Sequence, residues 1–130
     1  MTRHIWLNVR DCHAIQATSL QRFGGLEGIR DEGMLEAAVC RPQQLDHYGE
    51  PTIFDLAASY AFGIIKNHPF IDGNKRCGFL MAAMFLECNG YWVRASEEEA
   101  VFFTLGLAAS DISEAKYAAW LERNCLKAQA

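Results

Sequence analysis

The sequence predicts an all-α domain of about six helices packed around two central ones, and three features carry that prediction. Residues 52–67 (TIFDLAASYAFGIIKN) and 73–90 (GNKRCGFLMAAMFLECNG) are apolar on most helical faces, so both helices belong inside a bundle. Glycine and proline fall between periodic segments as punctuation. Ser, Thr or Asp stands at the start of most segments, where a short side-chain acceptor caps free backbone N–H groups.

Residues 5–8 read as a short extended piece, and Asp11 then caps a first helix running to about Arg22. The GGLEG stretch at residues 24–28 forces a turn. Asp31 caps a second helix that ends near Arg41, because Pro42 has no N–H with which to continue it. Residues 42–51 (PQQLDHYGEP) are polar and turn-forming and read as an exposed connection. Thr52 caps the third helix; the fourth starts near Gly73 and stops at Asn89 and Gly90, a common left-handed C-terminal signal. Residues 91–95 are extended, Ser96 with Glu99 forms a capping box for a fifth helix, and Ser113 begins a sixth that ends near Leu126.

A chain of 130 residues buries roughly two-thirds of its unfolded surface, and no repeat or low-complexity tract divides it, so one domain over residues 1–130 is expected. The five cysteines are odd in number and contain no CxxC pair, which points to free thiols in a reducing cytoplasm. No signal peptide or membrane-spanning run is apparent. A net charge of -4 argues against broad attraction to nucleic acid or anionic lipid, so neither direct nucleic-acid binding nor membrane association is expected.

The chemistry concentrates in residues 68–79, HPFIDGNKRCGF, a loop feeding the fourth helix. A helix start offers unpaired N–H groups and a positive dipole end, and Gly73 lets the backbone turn those amides toward one point, a cradle for phosphate. Arg76 can fork onto phosphate oxygens and Asp72 can hold a divalent cation such as Mg²⁺. His68, an imidazole, can take a proton from an attacking hydroxyl. Purely structural roles stand beside these: Asp72 as a helix cap, His68 bonded to a core carbonyl, Lys75 and Arg76 solvated. Pro69 and Phe70 would lock the loop so that His68 keeps its aim.

This loop resembles the signature of the Fic/Doc family, HPFx(D/E)GNxRxxR, which His68, Pro69, Phe70, Asp72, Gly73, Asn74 and Arg76 match. Similarity to death-on-curing (Doc) toxins runs over almost the whole chain, through IWLNVRD, RFGGLEGIRDEGMLEAAVCRPQ, YGEPTIFDLAASYAFGIIKN and NGYWVRASEEEA. The chain has Lys75 where Fic adenylyltransferases have glycine, as Doc toxins do, and Phe79 where the second Fic arginine would fall. The resemblance implies a Fic/Doc-like helical domain and a toxin of a toxin–antitoxin pair. It further implies an ATP- and Mg²⁺-dependent kinase that phosphorylates a threonine of elongation factor Tu and halts translation, with an antitoxin whose disordered tail folds into a surface groove. His68 is then the general base, Asp72 the Mg²⁺ ligand, Gly73 and Asn74 the phosphate cradle, and Lys75 and Arg76 the catalytic cations that bind and stabilise the transferring phosphoryl group. The alternatives are adenylyl transfer to a protein hydroxyl, as in other Fic proteins, and a non-catalytic module that binds nucleotide or peptide.

Elsewhere, Cys77 reads as a packed, inert cysteine despite two cationic neighbours. The acidic run at residues 97–99 complements a helix dipole. His4, His13 and His47 have no ligand partners at helical spacing and receive no role. Tyr48, Phe54, Tyr60 and Phe62 read as core before groove, and Lys66 as solvated before phosphate-binding. The resemblance puts residues 43–50 in the position of the family's flap, which holds the target segment by its backbone.

Overall fold

Five of the six helices begin on a side chain that accepts a backbone N–H, and the exception is the helix that follows the HPFIDGN loop. The computed structural model describes residues 3–128. Its helices are α1 (Val9–Phe23), α2 (Glu32–Tyr48), α3 (Ile53–Asn67), α4 (Asn74–Cys88), α5 (Glu97–Ala108) and α6 (Glu114–Arg123). Asp31, Thr52 and Ser113 cap as the sequence predicts. Asp11 does not begin α1: Asn8 is the cap, and Asp11 is its capping-box partner, its carboxylate accepting the Asn8 N–H at 2.8 Å. Ser96 caps α5, but the Glu99 carboxylate turns away to accept the Trp120 indole N–H at 3.3 Å, so the expected capping box is only half made.

Pro42 does not close α2, which continues to Tyr48 with the proline inside it. The carbonyl that Pro42 leaves without a helical donor is that of Ala38. This oxygen faces α3 at Gly63, where an added side-chain carbon would come within 3.1 Å of it. The freed carbonyl therefore sits at a close helix crossing where a side chain on residue 63 would be crowded, and the expected connection shrinks to the few residues before α3.

The core lies where α3 packs between α2 and α4, with α6 across it. Nine residues of α3 are buried, including Leu56, Tyr60 and Ile64, and α4 contributes Cys77, Met81, Phe85 and Leu86. The central placement of these two helices is as the sequence predicts. Gly78 sets how closely they approach, because a Cβ there would meet Ile65 Cγ1 at 2.8 Å and Ala61 O at 3.1 Å. Gly78→Val should therefore destabilise the fold by about 1–3 kcal/mol through overpacking, read as a lower urea midpoint at unchanged slope.

Tyr60 belongs to the core: its hydroxyl donates to Leu7 O at 3.1 Å and accepts from Leu7 N at 3.0 Å, tying the chain start to α3. Burial pushes its pKa up to about 12. Phe54 and Phe62 also pack against the core, whereas Tyr48 is 85 % exposed at the end of α2. A two-stranded sheet completes the fold. The extended piece after α4 is β1 (Tyr91–Val93), and β2 (Cys125–Lys127) pairs antiparallel with it, Trp92 opposite Leu126. The last helix thus ends at Arg123 rather than near Leu126, because Asn124 caps it through Trp120 O at 2.8 Å and the chain then adds to a strand edge. No helix among the described residues is long and apolar enough to cross a membrane.

Candidate active site

α3 ends in an unusual backbone state. His68 is its C-cap, with φ 50° and ψ 54°, the left-handed region that a residue bearing a Cβ seldom adopts. The chain then returns to helix within five residues through a loop anchored by buried Pro69 and Phe70. Asn74, 4 % exposed, closes this loop on itself: its Oδ1 accepts Phe70 N and its Nδ2 donates to Phe70 O, each at 2.9 Å. The Asn74 side chain is therefore spent on holding the loop, and only its backbone faces the cleft.

A second segment braces the loop from outside. Residues 24–31, between α1 and α2, run beside it: Ile71 N donates to Gly28 O at 3.0 Å, and Ile29 bridges Phe70. Arg30 N and Asp31 N both donate to Pro69 O, at 2.6 and 3.1 Å. From below, Gln16 Nε2 donates to Asp72 O at 2.8 Å.

Gly73, left-handed at φ 78°, is the N-cap of α4, and no side chain caps that helix. The first-turn N–H groups consequently open into a cleft of about 440 Å³. All six residues singled out in the sequence, His68, Asp72, Gly73, Asn74, Lys75 and Arg76, line this cleft together with Phe23, Gly24 and Gly25. Arg76 makes no hydrogen bond or ion pair among the described residues; its guanidinium lies over the Phe23 ring, 4.5 Å from the centroid. Stacking aims this cation without consuming its donors.

Asp72 is an exposed side chain with two backbone partners: Oδ2 accepts from Leu26 N at 3.0 Å and Oδ1 from Gly73 N at 2.9 Å. These bonds, Leu26 foremost, hold its pKa below the ordinary carboxylate range, helped by the nearby Arg76 and His68. Each oxygen retains a further lone pair, and no cluster of three or more His, Cys, Asp or Glu side chains suited to a metal exists among the described residues. A single exposed carboxylate beside an anion cradle fits the way Mg²⁺ binds, through one or two carboxylates plus substrate phosphate and water. Because the folded pKa is depressed, the Leu26 tether is fully present above the unfolded value and is lost as pH falls through the folded one. The Leu26 amide resonance should therefore shift only below the ordinary aspartate value of about 3.9. NMR titration checks this, and an amide indifferent to acid would rule the tether out.

Residues 6–86 match the profile of the Fic/DOC family. The chain belongs to that family. It is 36 % identical over 122 residues to the "Protein kinase doc" of Escherichia phage P1, covering 93 % of this chain and 94 % of that protein. It is 42 % identical over 77 residues to the "Toxin Doc" of Mycolicibacterium smegmatis, covering 56 % of this chain and 58 % of that one. The Fic/DOC signature is thus carried by the loop between α3 and α4, and the all-α fold is that of the family.

One expectation for the surroundings changes. Residues 43–50 do not lie at this site, since α2 runs through Tyr48 and ends beside the start of α3. Thirteen helical positions separate Asp55 from His68, about 20 Å at 1.5 Å per residue. The segment that flanks the signature loop is instead 24–31. Lys66 is exposed, as expected, and lies away from the cleft; its Nζ donates to Ala108 O at 3.1 Å and to Ser110 Oγ, closing the end of α5. Cys77 is buried, 3.9 Å from Cys12 Sγ, and that hydrogen bond together with burial pushes its thiol pKa far up, which leaves it inert as expected. Phe23 and Arg30 had no signal in the sequence beyond an aromatic preceding a double glycine.

Proposed function

We propose that this Fic/DOC protein is the toxin of a toxin–antitoxin pair and acts as a kinase, moving the γ-phosphoryl group of ATP to a protein hydroxyl. The observation that carries the reading is the convergence of an uncapped helix start, an unpaired Arg76 and His68 on one cleft. In phosphoryl transfer, positioning and charge neutralisation supply most of the catalysis. The N–H groups of the first turn of α4 grip phosphate oxygens, and Arg76, parked on Phe23, forks onto the transferring group. Lys75, exposed beside it, adds a second cation. His68 takes the hydroxyl proton as the oxygen attacks phosphorus, and the bond to the nucleoside diphosphate breaks. Bound Mg²⁺, held by Asp72 and the phosphates, would supply further charge neutralisation.

Two features favour kinase over adenylyl transfer. Lys75 occupies the position where adenylyltransferases of the family have glycine. Phe79, where their second arginine falls, packs toward the core with its ring 6.2 Å from that of Trp120. A protein target fits the rim of the cleft, where Phe23, Leu26, Ile29 and Ile71 are all exposed. Such apolar surface beside a reactive cleft favours a macromolecular partner. Elongation factor Tu, through a threonine, is the target the family resemblance supplies, and an antitoxin the partner.

The test is to incubate the protein with Mg²⁺ and elongation factor Tu, with ATP labelled at the γ or the α position in parallel. Label transferred from the γ position is the expected result. Transfer from the α position would replace the reading with adenylylation, and transfer from neither would leave a binding module.

A further inference from the structure

We propose that Arg30 is a positioning residue for His68, setting the aim of the imidazole by fixing the backbone on both sides of it. The inference rests on the reading of His68 as the base. Carbonyls at the end of a helix have no N–H ahead of them. At the end of α3, Arg30 supplies the missing donors. Its Nη2 donates to Asn67 O at 2.7 Å and its Nε to His68 O at 2.6 Å, while its backbone N–H reaches Pro69 O.

The two side-chain bonds matter most. Asn67 O belongs to the peptide plane before His68, and His68 O to the plane after it. The angles between those planes and the His68 Cα are φ and ψ of residue 68. One rigid guanidinium fork that grips both oxygens therefore locks the left-handed conformation and with it the direction of the Cα–Cβ bond. Strained backbone of this kind persists only where its surroundings over-determine it. The positive charge at the negative end of the α3 dipole adds to the grip. Pro69, with its fixed φ, carries the constraint into the loop. Arg30 itself lies outside the cleft lining, so its effect passes through His68.

The experiment compares wild type, Arg30→Lys and Arg30→Met in two ways. The Cα chemical shift and the HN–Hα coupling of residue 68, in isotope-labelled protein, report its backbone state without reference to activity. Steady-state transfer from γ-labelled ATP to elongation factor Tu gives kcat and the KM for ATP. In Arg30→Met, residue 68 should leave its left-handed signature, and kcat should fall about 10- to 100-fold, the scale of a small misplacement of a reacting group. The KM for ATP should be unchanged, because the cradle at α4 and Arg76 are untouched. Arg30→Lys, which keeps charge and one donor group, should recover part of both.

An unchanged residue-68 signature in Arg30→Met would overturn the proposal. So would a kcat loss matched by a rise in KM, or a lysine variant no better than the methionine one. If the methionine variant does not fold, Arg30→Lys decides alone: an intermediate signature with reduced kcat supports the proposal, and wild-type values for both overturn it. If wild type transfers no γ-label, the kinase reading falls, while the residue-68 signature still decides whether Arg30 sets that backbone.

Discussion

His68→Ala is expected to lower phosphoryl transfer by about 10²- to 10⁴-fold, the contribution of a positioned general base, while ATP binds essentially as tightly as before. The separation follows from geometry. On the proposed reading the backbone of α4 and Arg76 would grip phosphate, and neither depends on the imidazole for its conformation. His68 lines the same cleft from a different element, exposed at the end of α3. Alanine also keeps its backbone N–H and carbonyl available to Ile64 O and Arg30, so the loop should survive. γ-Label incorporation measures the first quantity and ATP titration the second. Activity within a few-fold of wild type would remove His68 from the reaction, and a parallel loss of ATP binding would mean that the residue grips phosphate instead.

Asn74→Ala should produce a large loss of stability for a polar residue of the signature loop. Its side chain both donates to and accepts from Phe70, in a pocket that water does not reach. Truncation orphans a buried N–H and a buried C=O together, at about 1–3 kcal/mol each. A net loss of about 2–4 kcal/mol corresponds to roughly 10 °C in Tm for a domain of this size. Asn74→Asp is a graded control: the carboxylate can accept from Phe70 N but cannot donate to Phe70 O, so it should fall between alanine and wild type. Calorimetry gives the order, and an alanine variant as stable as wild type would mean the loop is held by Pro69 and Phe70 packing alone. Activity should fall with stability here, because Phe70 lies between His68 and Asp72, and a loosened loop misplaces both.

Much of the site was legible because it is contiguous. A histidine, a carboxylate, a glycine and two cations within nine residues, followed by an apolar helix, imply their own geometry. What escaped was support from far along the chain. Arg30 reaches carbonyls 37 and 38 positions away, and Leu26 N finds Asp72 at a separation of 46. No periodicity marks such residues. The misplacement of residues 43–50 has the same origin: turn-rich composition suggested a loop, but helix α2 persists through Pro42, and only the packing order shows which end of α3 it reaches.

The sequence alone determined the six helices, their central pair and the cluster of polar side chains, since the helices follow from the repeat of apolar positions and, in all but α4, from local capping, and the cluster is contiguous. Tertiary structure decided what aims those side chains: the bracing of the loop by residues 24–31, the parking of Arg76 on Phe23, the left-handed turn at His68 and the small sheet that ends the fold. Each of these joins segments distant in the chain, and such contacts form only once helices have stacked in three dimensions.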